Sequence, residues 1–122
     1  MAETKNETNG NQGEDSLETI FRMQSEYVGI LDLKRYPNEV DKRISSLCMA
    51  IIHEAVELQR LTSWKWWKKA EEFDIEKAKE ELVDIWHFVV QASVELGMGP
   101  FDILKEYRKK NEINRERERR GY

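Results

Sequence analysis

The chain has 122 residues, with 20 basic and 24 acidic side chains, a net charge of −4 at pH 7 and 39% hydrophobic residues. A net negative charge argues against binding nucleic acid through bulk charge, and no apolar run approaches the ~18 residues of a membrane span. The single cysteine, Cys48, excludes an internal disulfide framework. We therefore expect a cytoplasmic protein that binds neither nucleic acid nor a membrane.

The first segment, residues 1–15, is rich in Asn, Glu, Thr and Gly. We predict that it is disordered, because it offers too little apolar surface to offset the entropy of ordering. A single domain is expected over residues 16–122. With only two prolines and six glycines, the chain has few strand and turn signals, so we expect this domain to be mostly helical.

Four helices are predicted from apolar residues at helical spacing. The first runs from Ser16 to about Leu33, and the second spans roughly Asn38 to Thr62. Asp74 is the expected N-cap of a third helix, which Gly97 stops. After a Gly-Pro pair, a fourth helix follows over Phe101 to about Arg119. Four helices with short connections predict an all-α, antiparallel four-helix bundle.

The third predicted helix is apolar on two sides. Its main stripe consists of Ala78, Leu82, Ile85, Ala92 and Leu96. A second apolar set lies away from that stripe and consists of Val83, Trp86, Val90 and Val94. Because a chain this small cannot cover both sides of one helix, we expect a second subunit to cover one of them, in a homodimer.

Two pairs of carboxylates lie on or beside the apolar stripes. On helix two, Glu54 lies within the apolar stripe and Glu57 lies about 60° further round the helix axis. On helix three, Glu81 lies near the edge of the stripe, and Asp84 again lies about 60° further round the axis, in the same rotational direction. If the helices are neighbours, all four carboxylates can converge, at a cost of several kcal/mol for each unpaired ion unless a cation joins them. Oxygen ligands favour Mg²⁺ or Mn²⁺ over zinc, and magnesium suggests phosphate chemistry.

An alternative is that these are ordinary boundary carboxylates paired with basic side chains. The nearest basic residues are Arg60, Lys77 and Lys79, which do not obviously fall on the same face. The alternative stays open on these grounds.

Two further segments combine groups that suit a nucleotide. Residues 64–69 read Trp-Lys-Trp-Trp-Lys-Lys, which places aromatic surfaces that could stack a base beside cations that could hold its phosphates. Equally, these tryptophans could simply cover the core. From Lys105 to Arg120 the chain has eight basic and four acidic residues, either a phosphate-binding segment or a solvated basic tail.

The ordered set of motifs resembles the all-α NTP pyrophosphatase superfamily, which includes MazG-like enzymes and dimeric dUTPases, and most closely the dimeric dUTPase and dCTP pyrophosphatase branch. The motifs are Glu54-x-x-Glu57, Trp64-Lys65-x-Trp67, Glu81-x-x-Asp84-x-x-His87-Phe88 and Lys110-Asn111-x-x-Asn114-x-x-Arg117-x-x-x-Gly121-Tyr122.

The resemblance implies Mg²⁺-dependent hydrolysis of a deoxynucleoside triphosphate to the monophosphate and pyrophosphate, with dUTP the first candidate and dCTP the second. It assigns the metal to Glu54, Glu57, Glu81 and Asp84, and orientation of the attacking water to Glu57 or Glu54. The substrate-binding residues that it implies are Gln24, Lys65, Trp67, Phe88, Lys110, Asn114, Arg117 and Tyr122.

The chain departs from the branch at the base-recognition motif. Where the branch tends to have Gln-x-x-x-Asn on helix one, this chain has Gln24-x-x-x-Val28, so one of the two amides is missing. Two other functions therefore stay open: a MazG-like house-cleaning pyrophosphatase for modified nucleotides, and a non-catalytic helical interaction protein.

Overall fold

In the computed structural model, residues 13–121 are described, and they contain four α-helices and no strand. The helices are α1 (Ser16–Val28), α2 (Val40–Gln59), α3 (Ile75–Glu95) and α4 (Pro100–Arg119). The predicted all-α class is confirmed, and these elements are compatible with a four-helix bundle. Most of the segment predicted to be disordered, residues 1–12, lies outside the described residues, as does Tyr122. The described chain divides into two compact units, one up to Leu31 and one from Asp32 onward.

The first unit contains α1, which begins with a capping box. The Asp15 carboxylate accepts a hydrogen bond from the Glu18 N–H at 2.8 Å, and the Glu18 carboxylate accepts one from the Asp15 N–H at 2.9 Å. The helix ends at Val28, five residues before the predicted Leu33. Tighter turns replace the α-helical bonds after Val28, since the Ile30 and Leu31 N–H groups donate to carbonyls three residues back.

The second unit is built on α2 and α3, which form the only extensive helix–helix contact among its described residues. The helices are antiparallel, because Arg43 near the start of α2 bonds to Glu95 at the end of α3, at 3.2 Å. Leu47 and Val90 are buried between them. By contrast, α4 has no buried residue.

The buried side of α3 coincides only in part with the predicted stripe, of which Ala78, Ile85 and Ala92 are half-buried. Val90, predicted to lie on the second side, is only 3% exposed, whereas Leu82 and Leu96, predicted for the main stripe, are 47% and 59% exposed. The face towards α2 includes polar residues, among them the buried Gln91, and a stripe drawn through apolar residues alone is rotated away from it.

The junction from α3 to α4 is fixed by local backbone bonds. Gly97 has a φ of +79°, a conformation that favours glycine, and its N–H donates to the Val94 carbonyl while the Met98 N–H donates to Ser93. Pro100, three residues after Gly97, begins α4, and the Asp102 carboxylate accepts a hydrogen bond from the Gly99 N–H at 2.9 Å.

A polar network joins the start of α2 to the end of α3. The Glu95 carboxylate accepts hydrogen bonds from the Tyr36 hydroxyl at 2.6 Å, from Gln91 at 3.0 Å and from Arg43 at 3.2 Å. Arg43 also lies 4.8 Å from the centre of the Tyr36 ring and donates to the Pro37 carbonyl. Partial burial works against ionisation of Glu95, but the hydrogen bonds from Tyr36, Arg43 and Gln91 outweigh it and lower the pKa of this carboxyl.

We expect Glu95→Gln to destabilise the protein by about 2 kcal/mol at pH 7, because charge-assisted bonds to a side chain only 11% exposed are lost. The pKa of Glu95 is lower in the folded than in the unfolded state, so its contribution is complete above the ordinary value of about 4.3. That contribution is lost as the pH falls through the folded-state pKa. Urea unfolding at pH 7 and at acidic pH measures this change.

Glu106→Gln is the matched control, because Glu106 pairs with Lys109 in the open, at 3.4 Å. Its effect should stay below about 0.5 kcal/mol. A Glu95→Gln effect that is equal at both pH values would contradict the electrostatic explanation.

Candidate metal centre

Three carboxylates from two helices converge in the second unit. Glu54 on α2 and Glu81 and Asp84 on α3 each offer one oxygen, and these oxygens all lie within 4.8 Å of one another. Glu54 and Glu81 are half-buried, and Asp84 is exposed. The antiparallel packing of α2 and α3 brings the groups together, and the i, i+3 spacing places Glu81 and Asp84 on the same side of α3.

The electrostatics of this cluster oppose three negative charges. Partial burial, the charges of Asp84 and Glu81, and a hydrogen bond with Glu81 together raise the pKa of Glu54. Neither Glu54 nor Asp84 forms an ion pair with a lysine or arginine among residues 13–121. Three carboxylates therefore meet one ion-paired lysine among the described residues, Lys77 beside Glu81, and the cluster carries an excess of negative charge.

The donor set fits a hard divalent cation. Around Mg²⁺, with oxygens at about 2.1 Å, neighbouring ligand oxygens lie about 3 Å apart and opposite ones about 4.2 Å apart. The three oxygens, which lie within 4.8 Å of one another, are therefore close enough to reach one ion after adjustment of their side chains. The exposure of Asp84 leaves the remaining coordination positions open to water or to a substrate.

Glu57, the fourth predicted ligand, lies one turn after Glu54 on α2 and outside the group of three. Its carboxylate is 3.8 Å from the Arg60 guanidinium and 3.9 Å from the His53 ring nitrogen. The half-buried carboxylate thus lies near two exposed basic side chains, at distances longer than a hydrogen bond.

The expectation that the nearby basic residues avoid this face was wrong for two of them. Lys77 Nζ lies 3.8 Å from Glu81, and Arg60 lies at the same distance from Glu57. Both are long side chains that reach within their own helix, at i, i+4 and i, i+3, and such pairs contribute about 0.2–0.5 kcal/mol. Lys79 instead pairs with Glu76, at 3.2 Å. These contacts border the cluster without neutralising Glu54.

The segment between α2 and α3 presents its tryptophans to solvent. Trp67 packs edge to face against Trp64 at 6.0 Å and against Trp66 at 5.6 Å between ring centres. Trp66 is 84% exposed, and Lys65 Nζ lies 5.5 Å from the Trp64 ring. Within this chain the tryptophans do not cover the core, so the alternative expectation for this segment was wrong.

This segment and the carboxylates lie at the same end of the α2–α3 pair. Glu54 is five residues before the end of α2, a rise of about 8 Å along the helix axis. Lys68 and Lys69 form no ion pair in the described part of the chain. The same end of the hairpin therefore offers carboxylate, aromatic and cationic groups.

The remaining predicted substrate residues lie on other elements. Phe88 is half-buried on α3, one turn after Asp84. Three of them, Lys110, Asn114 and Arg117, are exposed on α4. In the described chain α4 does not pack extensively on α2 or α3, so it does not close over the carboxylates. Gln24 is half-buried on α1, in the other unit.

The fold and the site together define an all-α protein in which two antiparallel helices bring together three carboxylates that could hold a metal ion. Residues 16–102 match the profile of a dUTPase family. The chain belongs to this dUTPase family, which confirms the resemblance to the dimeric dUTPase and dCTP pyrophosphatase branch.

A curated relative supports the same branch. The chain is 42% identical over 71 residues to the dCTP pyrophosphatase of Enterobacteria phage T4, and the match covers 48% of this chain and 42% of that protein. The chain thus spans less than half the length of this relative. No solved structure matches this chain significantly. Within the described residues, every helix is too short or too polar to cross a membrane.

We expect Glu54→Gln to raise the melting temperature of the metal-free protein, because it removes one of three mutually repelling charges from a half-buried position. The same change should abolish the additional stabilisation that wild type gains from MgCl₂, since ligand binding to the folded state raises its stability. Thermal unfolding with EDTA or with excess MgCl₂ measures both effects.

Glu80→Gln is the control, because Glu80 is exposed on α3 and has only a 3.9 Å contact with Lys77. It should leave both melting temperatures close to those of wild type. If Glu54→Gln lowers the metal-free melting temperature, or retains the full response to MgCl₂, the assignment of Glu54 as a ligand fails.

Proposed function

We propose that this protein hydrolyses a deoxynucleoside triphosphate between the α- and β-phosphates, giving the monophosphate and pyrophosphate. The observation that carries the proposal is the half-buried Glu54, which faces Glu81 and Asp84 and pairs with no lysine or arginine among the described residues. In a member of the dUTPase family, the magnesium ion that accompanies a nucleoside triphosphate is the cation that such a cluster needs.

Glu54, Glu81 and Asp84 would hold Mg²⁺, with Mn²⁺ the alternative ion. When bound, the ion would neutralise negative charge on the phosphate oxygens. Glu57, one turn after Glu54 on α2, would orient the attacking water and accept its proton. The water oxygen forms a bond to the α-phosphorus, the bond to the bridging oxygen breaks, and pyrophosphate leaves.

The α2–α3 loop would bind the nucleotide. Lys65 offers a cation and Trp67 an aromatic surface at the same end of the hairpin as the carboxylates. Phe88, one turn after Asp84 on α3, would pack against the base or sugar. We further propose that α4 packs over the bound substrate, so that Lys110, Asn114, Arg117 and Tyr122 close over the phosphates.

The base preference follows from the same groups. We propose dUTP as the first substrate, through the amide of Gln24, and dCTP as the second, which the name of the phage T4 relative supports. A second candidate function is the removal of modified nucleotides. The exposed tryptophans of the loop favour it, because an aromatic surface stacks on any base.

We also propose that the protein is a homodimer. Many large apolar side chains of α2 and α3 are more than a third exposed, among them Met49, Ile52, Val56, Val83, Trp86 and Val89. A second copy would bury this surface, as soluble proteins seldom leave so much apolar surface in contact with water.

Wild type should release pyrophosphate from dUTP, dCTP or a modified dNTP in the presence of Mg²⁺. Glu54→Gln and Asp84→Asn should each lower the rate by about 100-fold or more, because each removes a group that holds charge at the reacting phosphates. A pyrophosphate assay over a panel of canonical and modified dNTPs measures this.

Glu80→Gln, which leaves the cluster intact, should retain the wild-type rate. If wild type yields no pyrophosphate from any dNTP with either Mg²⁺ or Mn²⁺, the enzyme proposal is overturned in favour of a helical interaction protein.

The dimer is tested separately by light scattering after gel filtration. Wild type should show twice the chain mass of 14.6 kDa, and Trp86→Glu should show the mass of one chain, because it places a charge in the apolar surface. Glu80→Gln should remain dimeric. A monomeric wild type, or a fully dimeric Trp86→Glu, would contradict the proposed interface.

A further inference from the structure

The loop that contains the tryptophans and lysines is closed at its neck by one hydroxyl group. The Ser63 Oγ accepts a hydrogen bond from the Glu71 N–H at 3.1 Å and donates one to the Glu71 carbonyl at 3.3 Å. A single side chain therefore satisfies both backbone groups of a residue eight positions further along. Residues 64–70 lie between these two closing residues.

Inside this neck the loop is ordered by its own contacts. The Lys68 N–H donates to the Lys65 carbonyl at 2.9 Å, which forms a tight turn, and the Trp67 ring packs against both other tryptophan rings of the loop. Compact loops of this kind, with joined ends and internal side-chain packing, present fixed surfaces and are frequently functional. The turn and the ring contacts depend on the ends staying together.

The closing bonds are exposed to water, so they contribute little to the stability of the whole protein. Their effect is local, because releasing the neck frees the loop without uncovering the buried residues Leu47 and Val90 between α2 and α3. Ser63 can therefore be changed without unfolding the hairpin.

We propose that Ser63 is a positioning residue for substrate binding: it closes the loop so that Lys65 and Trp67 meet the nucleoside triphosphate in a preformed arrangement. The inference rests on the proposed function, because it takes Lys65 and Trp67 as substrate-binding groups. Without the closed neck, the loop must be ordered as the substrate binds, and this cost weakens binding without changing the chemical step.

Ser63→Ala should raise KM for the preferred dNTP about tenfold and leave kcat near the wild-type value, the effect of having to order a few side chains on binding. Ser63→Thr keeps the hydroxyl and should restore the wild-type KM. In the absence of nucleotide, Ser63→Ala should also lose the circular dichroism that arises from coupled tryptophan rings, while its helical signal is unchanged.

Thr62→Ala is the matched control. Thr62 lies one residue away, and its hydroxyl donates at 2.7 Å to the Gln59 carbonyl at the end of α2, but it does not cross the loop. This variant should keep both the wild-type KM and the tryptophan signal.

The inference is overturned if Ser63→Ala keeps the wild-type KM or the coupled tryptophan signal, or if Thr62→Ala raises KM equally. It is also overturned if Ser63→Thr fails to restore the wild-type KM. In each of these cases wild type is active, which separates this failure from that of the proposed function. A wild type that releases no pyrophosphate overturns both.

Discussion

The antiparallel packing of α2 against α3 is the constraint on which the rest of the structure depends. It places half-buried carboxylates at both ends of one helix pair, in opposite surroundings. Glu95 receives three hydrogen bonds from Tyr36, Arg43 and Gln91, and its pKa falls. Glu54 meets two further carboxylates, and its pKa rises. At the Glu95 end the carboxylate finds its hydrogen-bond donors within the chain. At the Glu54 end the excess negative charge would be neutralised by a bound cation.

The same packing explains why stability and binding are divided between the two ends. Most large apolar side chains of the hairpin stay partly exposed, and the network around Glu95 adds polar bonds that join the two helices. The cluster around Glu54 has the opposite effect until an ion is present, as is common where a binding site stores electrostatic repulsion. Ligand binding at one end and structural bonds at the other would then act on the same helix contact.

Features that depend on nearby residues could be predicted from the sequence. The Asp74 cap, the glycine stop at Gly97 and the start of α4 follow local rules, and the spacing of Glu54, Glu81 and Asp84 predicted their convergence. The rotation of α3 could not be predicted, because polar residues lie in its buried face. The closure by Ser63 left no signal either, since a single loop hydroxyl that bonds to a distant backbone creates no periodic pattern.

The backbone conformation at Gly97 controls the position of the far end of α4. The direction in which α4 leaves α3 is set by the bonds of a few residues around Gly97, and within residues 13–121 no extensive packing on α2 or α3 fixes it further along. A helix of 20 residues is about 30 Å long, so a rotation of about 30° at its first residue moves its far end by about 15 Å. Small changes in the dihedral angles of one glycine are therefore amplified into large displacements of the basic side chains near Arg117.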